Sequence, residues 1–307
     1  MKLLITGATG QVGWQLQRTL APLGEVIALS RADLDLSDPD KAAAATAQIK
    51  PDVLVNAAAY TAVDKAESEP ELAHIINAVA PGRMARALAG TGGLMIHYST
   101  DYVFDGSKAE PYTEDDPAGP LNVYGRTKLA GEQAIAQSGC AHLIFRTSWV
   151  YDIRGKNFLK TVLRLARQKE TLRMVDDQHG APTWARAIAE ATAAIIAKLT
   201  PAPDSGTLSR RDIYHLTAAG ETTWAGFARA ILQEYNELLA WPVEPGEFGV
   251  PLLAKQVVPI ASTEYKAAAR RPSNSRLSNE RLERDFGIRL PDWRRLLRLA
   301  LLDAGRE

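Results

Sequence analysis

Short, almost wholly apolar runs alternate with amphipathic segments along the first half of the chain. Because strands that are apolar along their whole length are buried on both faces, this alternation predicts a parallel β-sheet covered by helices. The predicted strands are Lys2–Thr6, Glu25–Leu29, Asp52–Ala59, Gly93–Thr100 and His142–Ser148. The predicted helices between them are Gly10–Leu20, Pro39–Ile49, Ser68–Ala89 and Asn122–Gln137. The pattern is typical of an α/β fold with a doubly wound parallel sheet, the Rossmann type.

After Trp149 the alternation is less regular. The pattern there predicts helices at Gly155–Lys169, Pro182–Leu199 and Thr222–Asn236, one more strand at Ile213–Thr217, and a loop at Thr200–Gly206. A chain of 307 residues is long for a single core, so we expect two domains. The first is a dinucleotide-binding Rossmann domain of residues 1–150 plus about 184–217. The second is a smaller substrate-binding domain of about 151–183 plus 218–307.

Three glycines, Gly7, Gly10 and Gly13, lie between the first predicted strand and the first predicted helix. Glycine destabilises a helix start by up to about 1 kcal/mol relative to alanine, so we expect a reason other than stability. At this place in a βαβ unit, glycines allow a tight turn, close approach of the backbone to a pyrophosphate, and packing of the helix on the sheet. The free N–H groups of the helix then face the phosphate. The turn therefore predicts dinucleotide binding.

The end of the second strand normally carries the group that reads the adenosine ribose. An acidic residue there favours NAD, and a basic residue favours the 2′-phosphate of NADP. This chain has Ser30 and Arg31, which favours NADPH over NADH, although an exposed arginine is also an ordinary surface residue. Asp35 and Leu36, a little further on, are candidates to flank the adenine.

Tyr124 and Lys128 have the spacing that places two side chains one turn apart on the same face of a helix. A phenol is a weak acid near neutral pH, and a neighbouring ammonium lowers its pKa. Tyr124 can then donate a proton to a developing alkoxide while Lys128 also holds the nicotinamide ribose. Of nine tyrosines, only Tyr124 has a lysine four residues later, and it opens the helix that follows the fourth strand.

The fourth strand ends in Ser99, Thr100 and Asp101. The carboxyl ends of strands line the ligand crevice of an open α/β sheet. We therefore expect the hydroxyl of Thr100 to bond the substrate oxygen and to tune Tyr124, or else to satisfy local backbone groups.

Composition narrows the range of partners. The chain has 36 basic and 36 acidic side chains, so its charge gives no reason to expect nucleic acid or an anionic membrane as a partner. The single cysteine excludes an internal disulfide and suits a reducing compartment. No signal peptide or membrane span is visible, and the five histidines have no zinc-like spacing. We expect a cytoplasmic protein without a metal site.

The glycine spacing, G-x-x-G-x-x-G, resembles that of the extended short-chain dehydrogenase/reductases. Six longer blocks in order are similar to the dTDP-4-dehydrorhamnose reductase family within that group. They are NAAAYTAVDKAESEP, HYSTDYVFDG, PLNVYGRTKLAGE, FRTSWVY, DQHGAPT and RPSNSRL, and the similarity covers nearly the whole chain.

The resemblance implies reduction of the C4 keto group of dTDP-4-dehydro-L-rhamnose by NADPH or NADH, for bacterial surface polysaccharides. It implies the catalytic set Thr100, Tyr124 and Lys128. It implies a cofactor lining that includes Gln11, Val12, Ala59, Tyr60 and Thr61, and deoxysugar contacts from Thr100, Asp101 and Trp149.

Three further residues are candidates from their chemistry. Trp149 suits stacking on a sugar or a place in the core. Asn157 suits a diphosphate contact or a helix start. Arg271, with Arg270 and Arg276, suits phosphate or a solvated surface.

The chain departs from the family pattern at two places. Relatives usually have an acidic residue where this chain has Ser30, which leaves the choice between NADPH and NADH open. Some members use Mg²⁺, partly at a subunit contact, but here Gln15 stands on the first helix where a carboxylate would help. A monomer and a homodimer both remain open.

Two alternative functions are considered. The first is a nucleotide-sugar epimerase or dehydratase on the same scaffold. Dehydratases carry Asp-Glu directly after the threonine, whereas here Asp101 is followed by Tyr102. The second is a non-catalytic regulatory subunit, like that of methionine adenosyltransferase. An intact set of Thr100, Tyr124 and Lys128 argues against it.

Overall fold

A six-stranded parallel sheet forms the centre of the protein. In a computed structural model, which describes residues 1–199, 211–239 and 250–304, the strands lie in the order β2-β1-β3-β4-β5-β10. Numbered in chain order, they are β1 Lys2–Thr6, β2 Glu25–Leu29, β3 Val53–Asn56, β4 Leu94–Thr100, β5 Ala141–Thr147 and β10 Arg211–His215. Every neighbouring pair is parallel. The doubly wound Rossmann prediction is confirmed.

Helices cover both faces of this sheet. Helix α1 (Gln11–Thr19) contacts α8 (Ala185–Leu199) on one face, where Leu3, Ile5 and Val55 point. On the other face α2 (Pro39–Ile49) contacts α5 (Ala80–Ala89), which contacts α6 (Val123–Ala136). Leu4 and Leu54 point to that second face. The strand order reverses between β1 and β3, so a ligand crevice is expected at their carboxyl ends.

The later part of the chain forms smaller units beside the sheet. Three two-stranded pairs occur there: β6 (Val150–Tyr151) with β9 (Thr183–Trp184), β7 (Thr171–Val175) with β12 (Gln256–Ile260), and β8 (His179–Gly180) with β11 (Thr222–Thr223). The helices are α7 Phe158–Ala166, α9 Trp224–Leu239, α10 Glu280–Phe286 and α11 Trp293–Ala304. One hydrophobic cluster joins the sheet, through Tyr151 and Phe227, to Leu297 on α11.

The helix predicted at Ser68–Ala89 is instead divided. After a short helix α3 (Val63–Ala66), α4 (Pro70–His74) runs into a π-helical turn at Ile75–Val79 and then into α5. In a regular α-helix, Pro81 offers no N–H, and its ring would meet the carbonyl of Asn77. The wider π turn ends at Val79, two residues before that proline.

Other boundaries also differ from the prediction. Thr183 and Trp184 pair with β6, so the helix predicted from Pro182 begins at Ala185. The sequence pattern missed β7, β12, α10 and α11. The two strands are short and partly exposed, so neither shows a regular alternation. The loop predicted at Thr200–Gly206 lies outside the described residues. Among the described helices, none has the length and apolar character needed to cross a membrane.

Candidate active site

The glycine turn after β1 leaves no room for a side chain at Gly7 or Gly13. Gly7 has a φ of +75°, and a Cβ there would lie 2.7 Å from the backbone nitrogen of Ala58. A Cβ on Gly13 would lie 2.1 Å from the carbonyl oxygen of Gly7. Gly10 precedes α1, and no side chain caps the helix N-terminus. Backbone N–H groups therefore remain available to an anion at this turn.

A cavity of about 770 Å³ runs from this turn along the carboxyl ends of the strands. Most of the predicted site residues line it: Gly7, Gly10, Gln11, Val12, Arg31, Asp35, Leu36, Ala59, Tyr60, Thr61, Thr100, Asp101, Tyr124, Lys128, Trp149 and Asn157. Three predicted residues do not line it: Gly13, Ser30 and Arg271. Gly13 lies beneath Gly7, where it permits the close helix–strand packing expected of it.

The end of β2 carries both signs of charge. Arg31 is largely exposed, and its Nε donates to Asp35 Oδ2 over 3.1 Å. Ser30 Oγ donates to Asp33 Oδ2 over 2.7 Å, and hydrogen bonds from Ser30 lower the pKa of Asp33. A cofactor ribose would therefore meet a cation and carboxylates at the same corner.

The loop after β3 is held by the π turn. The backbone N–H of Tyr60 donates to Asn77 Oδ1 over 2.8 Å, and the Asn77 amide donates to Tyr60 O and to Thr127 Oγ1. Asn77 is fully buried and thereby ties the cavity-lining loop to α6. Helical π turns occur frequently at functional sites.

Tyr124 is the second residue of α6, whose start is fixed from two sides. Asn122 caps the helix by accepting from Gly125 N over 2.8 Å, and its own amide donates to Arg270 O over 2.8 Å. Glu67 Oε1 accepts from Val123 N over 2.7 Å. Since Arg270 and Glu67 come from distant segments, the position of Tyr124 depends on the tertiary structure.

Burial dominates the acidity of the Tyr124 phenol. It raises the pKa of Tyr124 well above the ordinary value, and a hydrogen bond with Thr100 acts in the opposite direction. Thr100 ends β4, and its Oγ1 donates to Asp101 Oδ1 over 2.8 Å. The Oγ1 of Thr100 also accepts from the backbone N–H of Tyr102 over 3.2 Å, which is the local alternative raised by the sequence. The role of Thr100 in tuning Tyr124 stays a prediction.

Lys128 lies one turn further along α6 and is almost completely buried. Its Nζ donates to Tyr98 O over 2.6 Å and lies 3.1 Å from His97 Nε2. Burial lowers the pKa of Lys128 to about 8, against a smaller opposite effect of Glu132.

Asp101 is a buried carboxyl beside these groups. Burial raises the pKa of Asp101 to about 6, although Thr100 donates to it. The protonated and ionised forms are therefore both accessible near neutral pH.

Trp149 adopts an unusual backbone conformation, with a φ of +48°. Its ring stacks on Trp224, with centroids 3.6 Å apart and planes at 9°. A Cβ on Gly180 would lie within 2.9 Å of three indole atoms, so Gly180 lies close against the ring. Trp224 thus occupies one face of the Trp149 ring, and stacking of Trp149 on a sugar stays a prediction.

Asn157 and Arg271 already have partners inside the protein. Asn157 caps α7, and its amide donates to Gln11 Oε1 over 2.8 Å. Arg271 makes two hydrogen bonds with Asp64, and Arg276 pairs with Glu221. Asn157 therefore serves as a helix cap, which was the alternative to a diphosphate contact. Arg271 and Arg276 form ion pairs with two different carboxylates. Their contacts with a diphosphate stay predictions.

The acidic residues that the structure describes do not gather into a metal site. Within the part of the chain that the structure describes, no group of three His, Cys, Asp or Glu side chains is placed to hold a metal ion. Gln15 on α1 donates through its amide to Asp152 Oδ2 over 3.0 Å. The residues present give no support for Mg²⁺.

Comparisons with known proteins agree with this geometry. The family model for the RmlD substrate binding domain matches residues 1–305. The dTDP-4-dehydrorhamnose reductase of Burkholderia thailandensis is 50% identical over 303 residues, covering 99% of each chain. That of Escherichia coli K12 is 47% identical and covers 95% of this chain and 94% of the relative. The chain belongs to the dTDP-4-dehydrorhamnose reductase family.

A solved structure of the family supports the cofactor end of the site. The dTDP-4-dehydrorhamnose reductase of Bacillus anthracis, in complex with NADP, has a TM-score of 0.85 and 32% identity. The match covers 99% of this chain and all of that one. The resemblance found in the sequence is thereby confirmed over the whole chain.

Sequence reasoning missed several residues in or behind the cavity wall, among them Asn77, His97 and Trp224. Asn77 and His97 are polar residues with apolar residues on either side in their elements, and that contrast was the available signal. Trp224 lies at the N-terminus of α9, far from Trp149 in sequence, and no local pattern pairs them.

Proposed function

We propose that the protein reduces the C4 keto group of dTDP-4-dehydro-L-rhamnose to a hydroxyl, using NADPH or NADH. The observation that carries the proposal is the convergence of Thr100, Tyr124 and Lys128 on the cavity that begins at the glycine turn. The names of the relatives agree with this substrate.

At the cofactor end, backbone N–H groups rather than charged side chains bind the pyrophosphate. The N–H groups at the start of α1 face the place where the pyrophosphate belongs, and the helix dipole favours its negative charge. The lack of side-chain volume at Gly7 and Gly13 fits a dinucleotide held close to the backbone. When bound, the nicotinamide supplies the hydride.

At the reacting carbon, Tyr124 is the proton donor. Because burial raises its pKa, the phenol keeps its proton at neutral pH and is able to donate it to the oxygen that gains negative charge. Thr100 bonds the same oxygen and orients it. Lys128 holds the nicotinamide ribose and, when charged, favours the tyrosinate left after transfer.

At the sugar end, Asp101 and Trp149 line the cavity and contact the deoxysugar. The side chain after Asp101 is Tyr102, which also lines the cavity, so the place where a dehydratase has its glutamate carries a phenol. This favours reduction over elimination of water. The product belongs to the synthesis of cell-surface polysaccharide, as a Bacillus subtilis relative named for spore coat polysaccharide biosynthesis suggests.

The test is Tyr124→Phe, assayed by NADPH oxidation with enzymatically made dTDP-4-dehydro-L-rhamnose and by identification of the product. We expect kcat to fall by roughly 10²–10⁴, the usual contribution of a positioned proton donor, with cofactor binding retained. Tyr265→Phe is the control, because that side chain is exposed and outside the cavity lining. Turnover by Tyr124→Phe near the wild-type rate would remove Tyr124 from this role.

A further inference from the structure

Three polar side chains lie side by side across the buried sheet. Thr6 of β1 pairs in register with Asn56 of β3, and Asn56 pairs with His97 of β4. All three are at most 1% exposed. Buried polar groups are costly unless each finds a hydrogen-bond partner, so the partners in this row constrain one another.

The orientation of the Asn56 amide follows from its neighbours. Asn56 Oδ1 accepts from Thr6 Oγ1 over 2.6 Å and from the backbone N–H of Ala58 over 3.2 Å. The backbone N–H of Ala58 is able only to donate, so the group of the Asn56 amide that faces it must be the oxygen. The Asn56 NH₂ therefore faces His97 Nδ1, 3.0 Å away.

This orientation decides which nitrogen of His97 carries the proton. Burial, and then the charge of Lys128, hold the pKa of His97 well below its ordinary value, so the ring is neutral and has one N–H. Nδ1 accepts from Asn56, and so the proton lies on Nε2, 3.1 Å from Lys128 Nζ. An Nε2–H bonds to the lysine only when the lysine is a neutral amine.

A charged Lys128 requires the opposite arrangement. The ammonium donates to Nε2, which must then lack a proton, and the ring proton sits on Nδ1. Asn56 must turn its oxygen towards Nδ1 and give up the bond from Ala58 N–H. The balance is an uptake of one proton: the Nε2 proton passes to Nζ while Nδ1 gains another.

We propose that His97 is a positioning residue that links the charge of Lys128 to the orientation of the Asn56 amide on the cavity wall, and that this link disfavours the ammonium. The inference rests on the proposed function, in which Lys128 acts on the ribose and on Tyr124. Asn56 itself lines the cavity, so the row connects two parts of the same site.

The other groups near Lys128 do not provide this coupling. Tyr98 O accepts from Nζ in either charge state. Glu132, one turn further along α6, favours the ammonium but is paired with Arg146 through bonds of 3.0 and 2.7 Å. Tyr124 and Asp101 line the same cavity as Lys128. Of these groups, only His97 must change its own proton position when Lys128 titrates.

The direct test is ¹⁵N NMR of the histidine side chains in the full chain with NADP⁺ bound. The signals of His97 are assigned by their loss in His97→Gln. We expect the proton to be on Nδ1 below the titration of Lys128 and on Nε2 above it, with the ring neutral throughout. A proton on the same nitrogen across that range, or a charged ring, would overturn the inference.

The kinetic test is the alkaline limb of the pH profile of kcat at saturating cofactor. The aspartate of Asn56→Asp has the same shape as asparagine, and its carboxylate accepts a hydrogen bond from Nδ1–H of His97. Nε2 of His97 is then free to accept from the ammonium of Lys128. We expect the apparent pKa of this limb to rise by about one unit in this variant and also in His97→Gln. An equal loss of rate at every pH, with the limb unmoved, would indicate a merely structural role and reject the proposal. Because the NMR readout needs no turnover, failure of the inference is distinguishable from failure of the proposed function.

Discussion

The nucleotide end and the sugar end of the cavity are formed in different ways. At the nucleotide end, Gly7 and Gly10 belong to one turn, and the missing side chains create the site. At the sugar end, Trp149, Gly180 and Trp224 come from three distant segments and fill the space with two stacked rings. The comparison teaches that the first end depends on local backbone shape and the second on long-range packing.

The strongest test of this difference is Gly13→Ala with Gly10→Ala as its matched control. The new Cβ on Gly13 would collide with the Gly7 carbonyl, so we expect the free energy of unfolding to fall by about 3 kcal/mol. The atom nearest to a Cβ on Gly10 is 3.2 Å away. We therefore expect Gly10→Ala to lower the free energy of unfolding by less than about 1 kcal/mol, and to raise KM for NADPH. Denaturant unfolding and cofactor kinetics measure both. Equal destabilisation by the two changes would contradict the backbone argument.

Asp101, at the sugar end, tests the effect of burial through the pH dependence of stability. Its folded pKa of about 6 exceeds the unfolded value, so the native state holds the proton more tightly. Stability contributed by this group is then present below pH 4 and is lost as pH rises through 6, by up to about 3 kcal/mol. Asp101→Asn lacks this dependence. Unfolding of both proteins at pH 4 and pH 7.5 should show the variant gaining relative to wild type, and a constant difference would refute the raised pKa.

At the sugar end, Gly180→Ala should displace the indole of Trp149. We expect a loss of about 1–3 kcal/mol in stability and a higher KM for the nucleotide sugar, with little change in KM for NADPH. Gly90→Ala serves as the control, because its new Cβ meets only one atom, 3.8 Å away. A parallel rise in both KM values would show that the two ends are not independent.

The smallest effect concerns Arg31, which is exposed and bonded to Asp35. We expect Arg31→Ala to raise KM for NADPH about fivefold, roughly 1 kcal/mol, and KM for NADH less. Lys41→Ala, an exposed cation paired with Asp38, is the control. Equal effects on NADPH and NADH would remove Arg31 from recognition of the 2′-phosphate.

Local signals were enough for much of the fold and for one end of the site. The apolar runs predicted β1 to β5, and the glycine spacing predicted the turn, because both depend on residues close in sequence. The spacing of Tyr124 and Lys128 predicted a shared helical face, and both line the cavity. The division into two domains stays a prediction.

Other features had no local signal. The π turn that contains Asn77, the short strand at Thr183–Trp184 and the stacking of Trp149 on Trp224 each depend on a partner elsewhere in the chain. The same holds for Arg271, whose partner Asp64 lies more than two hundred residues away.

By itself the sequence determined the alternation of strand and helix, the glycine turn, and the order of Thr100, Tyr124 and Lys128 along the chain. Periodicity and steric size are properties of neighbouring residues, and they act before any long-range contact forms. Only the tertiary structure decided that His97 meets Lys128, that Trp224 covers Trp149, and that Asn122 is fixed by the backbone of Arg270. Such contacts join residues that are remote in sequence, and their hydrogen-bond and packing energies exist only once the sheet has brought those residues together.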